Sequence, residues 1–298
     1  MKKLPEIVVL SGKGGTGKTS ITAAFAALAG NAVFVDCDVD AADLHLILSP
    51  EKTHTEKFPS GSKAVIDSEC CTSCGICKEL CSFSAIDLIN DTFQIDEYAC
   101  EGCGLCIAAC PSDAIQMEVY NRNHIYFADT RFGPMVYGEL GIAEENSGRL
   151  VSKIRQYARE TAIKNSAEYI LTDGPPGIGC PVISTVTGSD MVVAVTEPTQ
   201  SGWHDLQRLI EMIHRFHAPI FVIINKCDLN KSMTRTIEMN LKSENIPVIG
   251  KIPYDESILQ ALLQGKAITE FMTESITAQN IEKMWNIIKE YAYEFQSV

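Results

Sequence analysis

The sequence predicts an α/β chain, a doubly wound and mostly parallel sheet interrupted once by a small α+β insert. Three observations lead there. EIVVLSGKGGTGKTSITAAFAALAG reads as an apolar strand, a glycine-rich turn and a helix. Later, DMVVAVTEP followed by SGWHDLQRLIEMIHRF keeps up the strand–helix alternation that builds parallel sheets. Between them the spacing CxxCxxCxxxC occurs twice, 29 residues apart, with flanks that also repeat: CTSCGICKELCSFSAIDLI lies over CEGCGLCIAACPSDAIQME.

At 298 residues the chain can bury a large core and still carry a small module. No apolar run approaches the roughly 20 residues that span a bilayer. The formal net charge of −13 argues against nucleic acid as a partner, because that binding depends on Lys and Arg neutralising phosphates. Met1 to Gly12 lacks a charged, apolar, small-residue leader, so a cytoplasmic protein with reduced cysteines is expected.

In chain order, the first motif is GxxxxGK[ST], completed by Gly12, Gly17, Lys18 and Thr19 between a strand and a helix. This is a P-loop in its required context. The nucleotide-binding set is Gly12, Gly14, Gly15, Thr16, Gly17, Lys18, Thr19 and Ser20. Glycines let backbone N–H groups close around a β-phosphate, and the helix directs its positive end at the same charge. Lys18 is expected to reach the β- and γ-phosphates, and the Thr19 hydroxyl to hold Mg²⁺.

Lys13 directly follows the first glycine, and KGGTGKT resembles the deviant P-loop of the MinD/ParA, Mrp and nitrogenase iron protein group. The resemblance implies ATP or ADP with Mg²⁺. It also implies a homodimer in which Lys13 reaches the partner's nucleotide, the alternative being a solvated loop lysine. AVFVDCDVDAADLHL ends a second strand at Asp36 and places Asp38 and Asp40 in a loop similar to that group's switch I. Either aspartate could hold Mg²⁺ through water or orient the attacking water.

HTEKFPSGSK reads as a polar linker into the insert. The expected division is an ATPase part at 1–60, the insert at 61–120 and the second ATPase part at 121–298. The cysteine spacing is the ligand pattern of a ferredoxin carrying two [4Fe–4S] clusters. In such domains the fourth cysteine of each run crosses over. One cluster then takes Cys71, Cys74, Cys77 and Cys110, the other Cys100, Cys103, Cys106 and Cys81. Zinc prefers two CxxC pairs with a longer spacer, and disulfides need an oxidising compartment. Ser82 stands after Cys81 where Pro111 follows Cys110, and Cys70 is a spare thiol or an exchange ligand.

HIYFADTRFGPMVYG reads as a hairpin leading to a helix capped near Asn146 or Ser147. YILTDGPPG reads as a buried strand ending at Asp173, like the switch II segment whose aspartate senses Mg²⁺ and the γ-phosphate. Cys180 follows seven residues later, the distance at which the nitrogenase iron protein places a cluster-ligating cysteine. A buried small thiol is the simpler expectation for it. PIFVIINKCD brings Asn225, Lys226 and Asp228 to a strand end, and IPYDESILQA adds Pro253. Both resemble the base-recognition end of MinD-type ATPases, although NKxD is also the guanine-reading tetrad of GTPases. His204, His214 and His217 are expected on one helix. The mixed-charge tail is expected to pack Trp285, Ile287, Ile288 and Tyr291 on the domain rather than bind a membrane stably.

The resemblance to MinD-superfamily ATPases with an inserted ferredoxin domain covers essentially the whole chain. The expected function is a nucleotide-switched ATPase homodimer with two [4Fe–4S] clusters, serving a redox or cofactor-assembly partner. A non-catalytic nucleotide-switched scaffold and a GTPase metallochaperone remain as alternatives.

Overall fold

The computed structural model describes residues 4–59, 61–141 and 147–295. Strand β1 (Glu6–Ser11) leads into helix α1 (Lys18–Ala29), strand β2 (Ala32–Asp36), helix α2 (Leu44–Leu48) and strand β3 (Glu51–Phe58). Next come β4 (Gly61–Ile66), α3 (Ile76–Leu80), β5 (Ile86–Ile89), β6 (Thr92–Ile95), α4 (Leu105–Ala109) and β7 (Ile115–Tyr120). Strands β8 (Asn123–Thr130) and β9 (Gly133–Glu139) precede α5 (Ser147–Lys164), β10 (Tyr169–Pro176), α6 (Cys180–Val186) and β11 (Met191–Thr196). The chain finishes with α7 (Gln200–His214), β12 (Ile220–Asn225), α8 (Lys231–Ser243), β13 (Val248–Ile252), α9 (Glu256–Leu263), α10 (Ile268–Phe271) and α11 (Ile276–Phe295).

Two compact units result. The first comprises residues 1–56, 125–139 and 147–298; the second comprises 57–124 and 140–146. The large sheet runs β13-β12-β11-β1-β10-β2-β9-β8-β3. From β13 to β9 its neighbours pair in parallel. Strand β1 shows why its sequence is apolar throughout: Ile7 and Val9 enter one core with Phe25, Phe34 and Trp285, while Val8 and Leu10 enter another with Leu206 and Ile213. Burial on both faces is what a doubly wound sheet imposes.

The second unit has an internal repeat. Antiparallel β4 and β7 pair from Gly61↔Tyr120 to Ile66↔Ile115, and β5 and β6 form a hairpin. The turn residues Asn90 and Asp91 have φ of 51° and 60°, the backbone of a two-residue type I′ turn. Its small core contains Ala64, Ala85, Ile86, Phe93 and Ile115 together with Cys77 and Cys100.

Several expectations need correction. The expected linker, His54 to Lys63, takes in the end of β3 and the start of β4; β3 is mostly exposed and lies at the end of the sheet order, and a polar edge strand shows no apolar periodicity. Strand β10 continues past Asp173 to Pro176. Helix α7 ends at His214, so His217 lies outside it with φ of 57°. In the tail, Trp285 and Ile288 are buried, but Ile287 is 41% exposed. Ser147 is the first residue of α5, and the expected cap Asn146 lies outside the described residues. Among the described residues no helix is long and apolar enough to cross a membrane.

Candidate functional site

Parallel strands deliver the first unit's polar residues to one end of the sheet. Ser11, Asp36, Thr196 and Asn225 each close a strand, and ligands of open α/β sheets bind outside such carboxyl ends. The loop from β1 to α1 is shaped by two glycines. A Cβ on Gly12 would lie 2.6 Å from the backbone carbonyl carbon of Asp205. Gly17 has φ of 88°, and a Cβ there would come 2.4 Å from Asn225 Nδ2. Only glycine meets either demand.

Asn225 Nδ2 donates to the Thr16 carbonyl at 2.8 Å, and Lys226 Nζ donates to the Gly15 carbonyl at 3.1 Å. These bonds tie two loop carbonyls to the residues at the end of β12. The Thr16 hydroxyl is buried without a partner, a donor that a ligand oxygen could satisfy.

A charged cluster stands beside the loop. Lys18 Nζ is 2.9 Å from Asp173 Oδ2 and 3.7 Å from Asp38 Oδ2. Thr19 Oγ1 donates to Asp173 Oδ2 at 2.7 Å, and Thr22 Oγ1 donates to Asp173 Oδ1 at 2.7 Å. Burial alone would lower the Lys18 pKa, but Asp173, Asp36 and Asp38 outweigh it and raise it. Asp36 is fully buried and accepts the backbone N–H groups of Asp38 and Leu44, each at 3.0 Å. Burial, then repulsion from Asp173, pushes its carboxyl well above the usual range. Burial likewise pushes Asp38 up to about 6, against the pull of Lys18.

One open cleft of about 1400 Å³ is lined by Gly14 to Ser20, Asp38, Asp40, Pro176 and Gly179. A second of about 910 Å³ shares Gly15, Gly17 and Ser20 with it. There Asn225, Lys226 and Pro253 meet the apolar side chains of Ile21, Ile258, Leu262 and Ile281. A charged cleft continuous with an apolar one suits a phosphate chain joined to a flat base. Asp38 lies against Lys18, whereas Asp40 is exposed on the rim. Asp228 lines neither cleft; its Oδ1 accepts the Tyr254 N–H at 2.7 Å. Cys180 is exposed at the first position of α6.

Sequence reasoning missed Glu197 and Thr22. Lys13 Nζ lies 2.5 Å from Glu197 Oε1 and donates to Ser201 Oγ at 3.1 Å, and Lys226 Nζ approaches Glu197 Oε2 at 3.3 Å. Burial opposes ionisation of Glu197, but hydrogen bonds from the two lysines prevail and lower its pKa. Its place just past an apolar strand, DMVVAVTEP, was the available signal. Thr22 follows Lys18 by four residues, one helical turn, on the same face.

In the second unit, one small pocket is lined by Cys71, Cys74, Cys77 and Cys110, and another by Cys100, Cys103, Cys106 and Cys81. Among the described residues no three His, Cys, Asp or Glu side chains gather closely enough for a single metal ion. Cys70 is exposed and lines neither pocket.

Comparison with known proteins agrees with the first unit. The chain is 32% identical over 290 residues to an uncharacterized protein of Methanocaldococcus jannaschii, covering 96% of this chain and 97% of that one. It is 29% identical over 128 residues to the iron-sulfur cluster carrier protein of Rickettsia typhi, covering 42% and 40%. Its fold is shared with the septum site-determining protein MinD of Pyrococcus horikoshii, solved with Mg-ADP, at a TM-score of 0.60 and 18% identity over 97% of this chain and 98% of that one. The family model described as the CobQ/CobB/MinD/ParA nucleotide binding domain matches residues 7–268. With a glycine-shaped loop, a lysine–aspartate cluster and an adjoining apolar cleft at the ends of parallel strands, this chain belongs to that family.

Proposed function

We propose that the protein hydrolyses ATP as a nucleotide-switched homodimer and couples the cycle, through two [4Fe–4S] clusters, to electron transfer or to assembly of a metal cofactor. The observation that carries this function is the pair of cysteine-lined cavities, each combining three thiols of one run with the last thiol of the other. The iron-sulfur cluster carrier protein among the relatives lends support to the assembly branch.

The loop N–H groups and Lys18 would hold the β- and γ-phosphates, and Thr19 and Asp173 would hold Mg²⁺, directly or through water. Mg²⁺ supplies charge neutralisation on the phosphate oxygens when bound. Asp38 is the better placed switch residue, because it already lies within 3.7 Å of Lys18 Nζ. Asp38 would orient the attacking water, and Lys18 would stabilise charge as it develops on the phosphoryl oxygens. Lys13 would leave Glu197 to reach the partner's nucleotide. ATP is favoured over GTP because the Asp228 carboxylate is engaged by the Tyr254 N–H and does not line the apolar cleft.

The test is potentiometric titration of the anaerobic protein in its apo, ADP and ATP-analogue states, with phosphate release measured on the same preparation. A nucleotide that alters cluster potential must bind the two redox states unequally. A difference of about 60 mV corresponds to roughly 1.4 kcal/mol. Identical potentials and chelation rates in all three states would leave a nucleotide-switched scaffold with passive clusters.

A further inference from the structure

The two cysteine turns of the second unit are near copies of each other in backbone. Helices α3 and α4 start after Gly75 and Gly104, with φ of 82° and 76°. Cys81 and Cys110 follow them with φ of −76° each and ψ of 105° and 113°. Ser84 and Asp113 then take φ of 53° and 51°. The Ala85 N–H donates to Cys81 Sγ at 3.4 Å, and the Ala114 N–H donates to Cys110 Sγ at 3.3 Å. Down to its N–H···S bond, the repeat treats the two fourth thiols alike.

One side chain breaks the symmetry. Two residues after Cys110 stands Ser112, whose Oγ is 3.6 Å from Cys110 Sγ, and Ser112 lines the cavity of Cys71, Cys74, Cys77 and Cys110. The equivalent position after Cys81 is Phe83, which lines the other cavity and has no hydroxyl to offer. Either atom of the Ser112–Cys110 pair could donate while the thiol is protonated. A metal-bound thiolate has no proton, so there the hydroxyl must be the donor.

Resting on the two-cluster function proposed above, we propose that Ser112 makes the two clusters inequivalent by raising the reduction potential of the one ligated through Cys110. Reduction adds negative charge to the core and its sulfurs, and a hydrogen bond donated to a ligand sulfur stabilises the more negative state. Four further differences between the cysteine turns are charges: Thr72 matches Glu101, Lys78 matches Ile107, Glu79 matches Ala108, and Asp113 matches Ser84. Glu79, Glu101 and Asp113 are exposed, and Lys78 is paired with Asp87 at 2.8 Å. Solvent screens these charges, whereas the hydroxyl acts at contact distance. Ser112 is a positioning residue for charge, and electrons entering the module settle on its side.

The experiment uses the full chain, reconstituted anaerobically with iron and sulfide and followed by EPR-monitored potentiometry. Ser112→Ala should keep about eight irons per chain and change the reduced-to-oxidised ratio of one cluster, at fixed potential, by about threefold to tenfold toward the oxidised form. A tenfold change is 59 mV for a one-electron couple. Ser112→Thr should restore the original ratio, because it keeps the hydroxyl. Phe83→Ser, which transplants the hydroxyl to the matching turn, should move the other cluster toward the reduced form. It stands as an independent test should Ser112→Ala fail to load. Full iron content with unmoved potentials in a loaded variant overturns the role of Ser112 and leaves the two-cluster function standing. A wild-type chain that takes up no cubane iron overturns both.

Discussion

Lys18 Nζ lies 2.9 Å from Asp173 Oδ2 across 155 residues of sequence, joining the first residue of α1 to β10. Asp173 is the lysine's nearer carboxylate, with Asp38 at 3.7 Å. On the proposed function, a phosphate in the loop would offer Lys18 a further anion and leave Asp173 to take a metal-bound water.

Lys18→Ala should therefore reduce phosphate release by about 100-fold or more, since charge stabilisation is the main contribution the protein makes to phosphoryl transfer. It should also destabilise the nucleotide-free protein by about 3 kcal/mol, because Asp173 and Asp36 lose their buried counter-charge. Thermal unfolding and a phosphate assay check the two effects separately. Retained hydrolysis would move the catalytic cation elsewhere.

Asp38 yields a pH dependence. Its folded pKa of about 6 lies above the ordinary carboxylate value of 3.8, so the native state holds this proton more tightly than the unfolded chain. Ionisation therefore costs stability. The cost is absent below about pH 4, grows toward pH 6 and stays constant above it. Asp38→Asn should raise the stability of the nucleotide-free protein at pH 7 by about 1 kcal/mol, after allowing for solvent screening. It should also flatten the slope of Tm between pH 4 and 6 and lower hydrolysis. An unchanged slope would assign that titration to another group.

Glu197 holds Lys13 within its own chain. Glu197→Gln should loosen that hold and raise the fraction of dimer at a given ATP concentration, whereas Lys13→Ala should lower it. Sedimentation with an ATP analogue distinguishes these outcomes. If Lys13 acts in trans, mixing Lys13→Ala with Asp173→Asn subunits should recover activity at one of the two sites of the mixed dimer, and complete failure of every mixture argues against a shared site.

Cys74→Ala and Cys103→Ala should each lower iron from about eight to about four per chain, because each removes a thiol from a different cavity. Stoichiometric zinc with no iron after anaerobic reconstitution would end the cluster assignment.

In competition binding, ATP should displace a labelled nucleotide better than GTP. Asp228→Asn should change this ranking little, because its carboxylate is bound to the Tyr254 N–H outside the apolar cleft. Tighter binding of GTP, lost in Asp228→Asn, would restore the guanine tetrad.

The sequence by itself determined the features whose signals lie within a few neighbouring residues. GKGGTGKT must turn where Gly17 takes a positive φ, and the chain alternates apolar strands with helices. The cysteine repeat is legible because a backbone turn sets its spacing, as the matched φ values of Gly75 and Gly104 show. Only the tertiary structure decided which distant groups meet. The partner of Thr22 is 151 residues away at Asp173, and Lys13 and Lys226 converge on Glu197. Asp228 is turned toward Tyr254, and Ser112 but not Phe83 is set against a cysteine sulfur. Strand β3 escaped notice because a polar edge strand follows its neighbour's hydrogen bonds and carries no apolar alternation. Spacing records local backbone geometry, but contacts between residues far apart in the chain depend on sheet order and packing, which no single segment encodes.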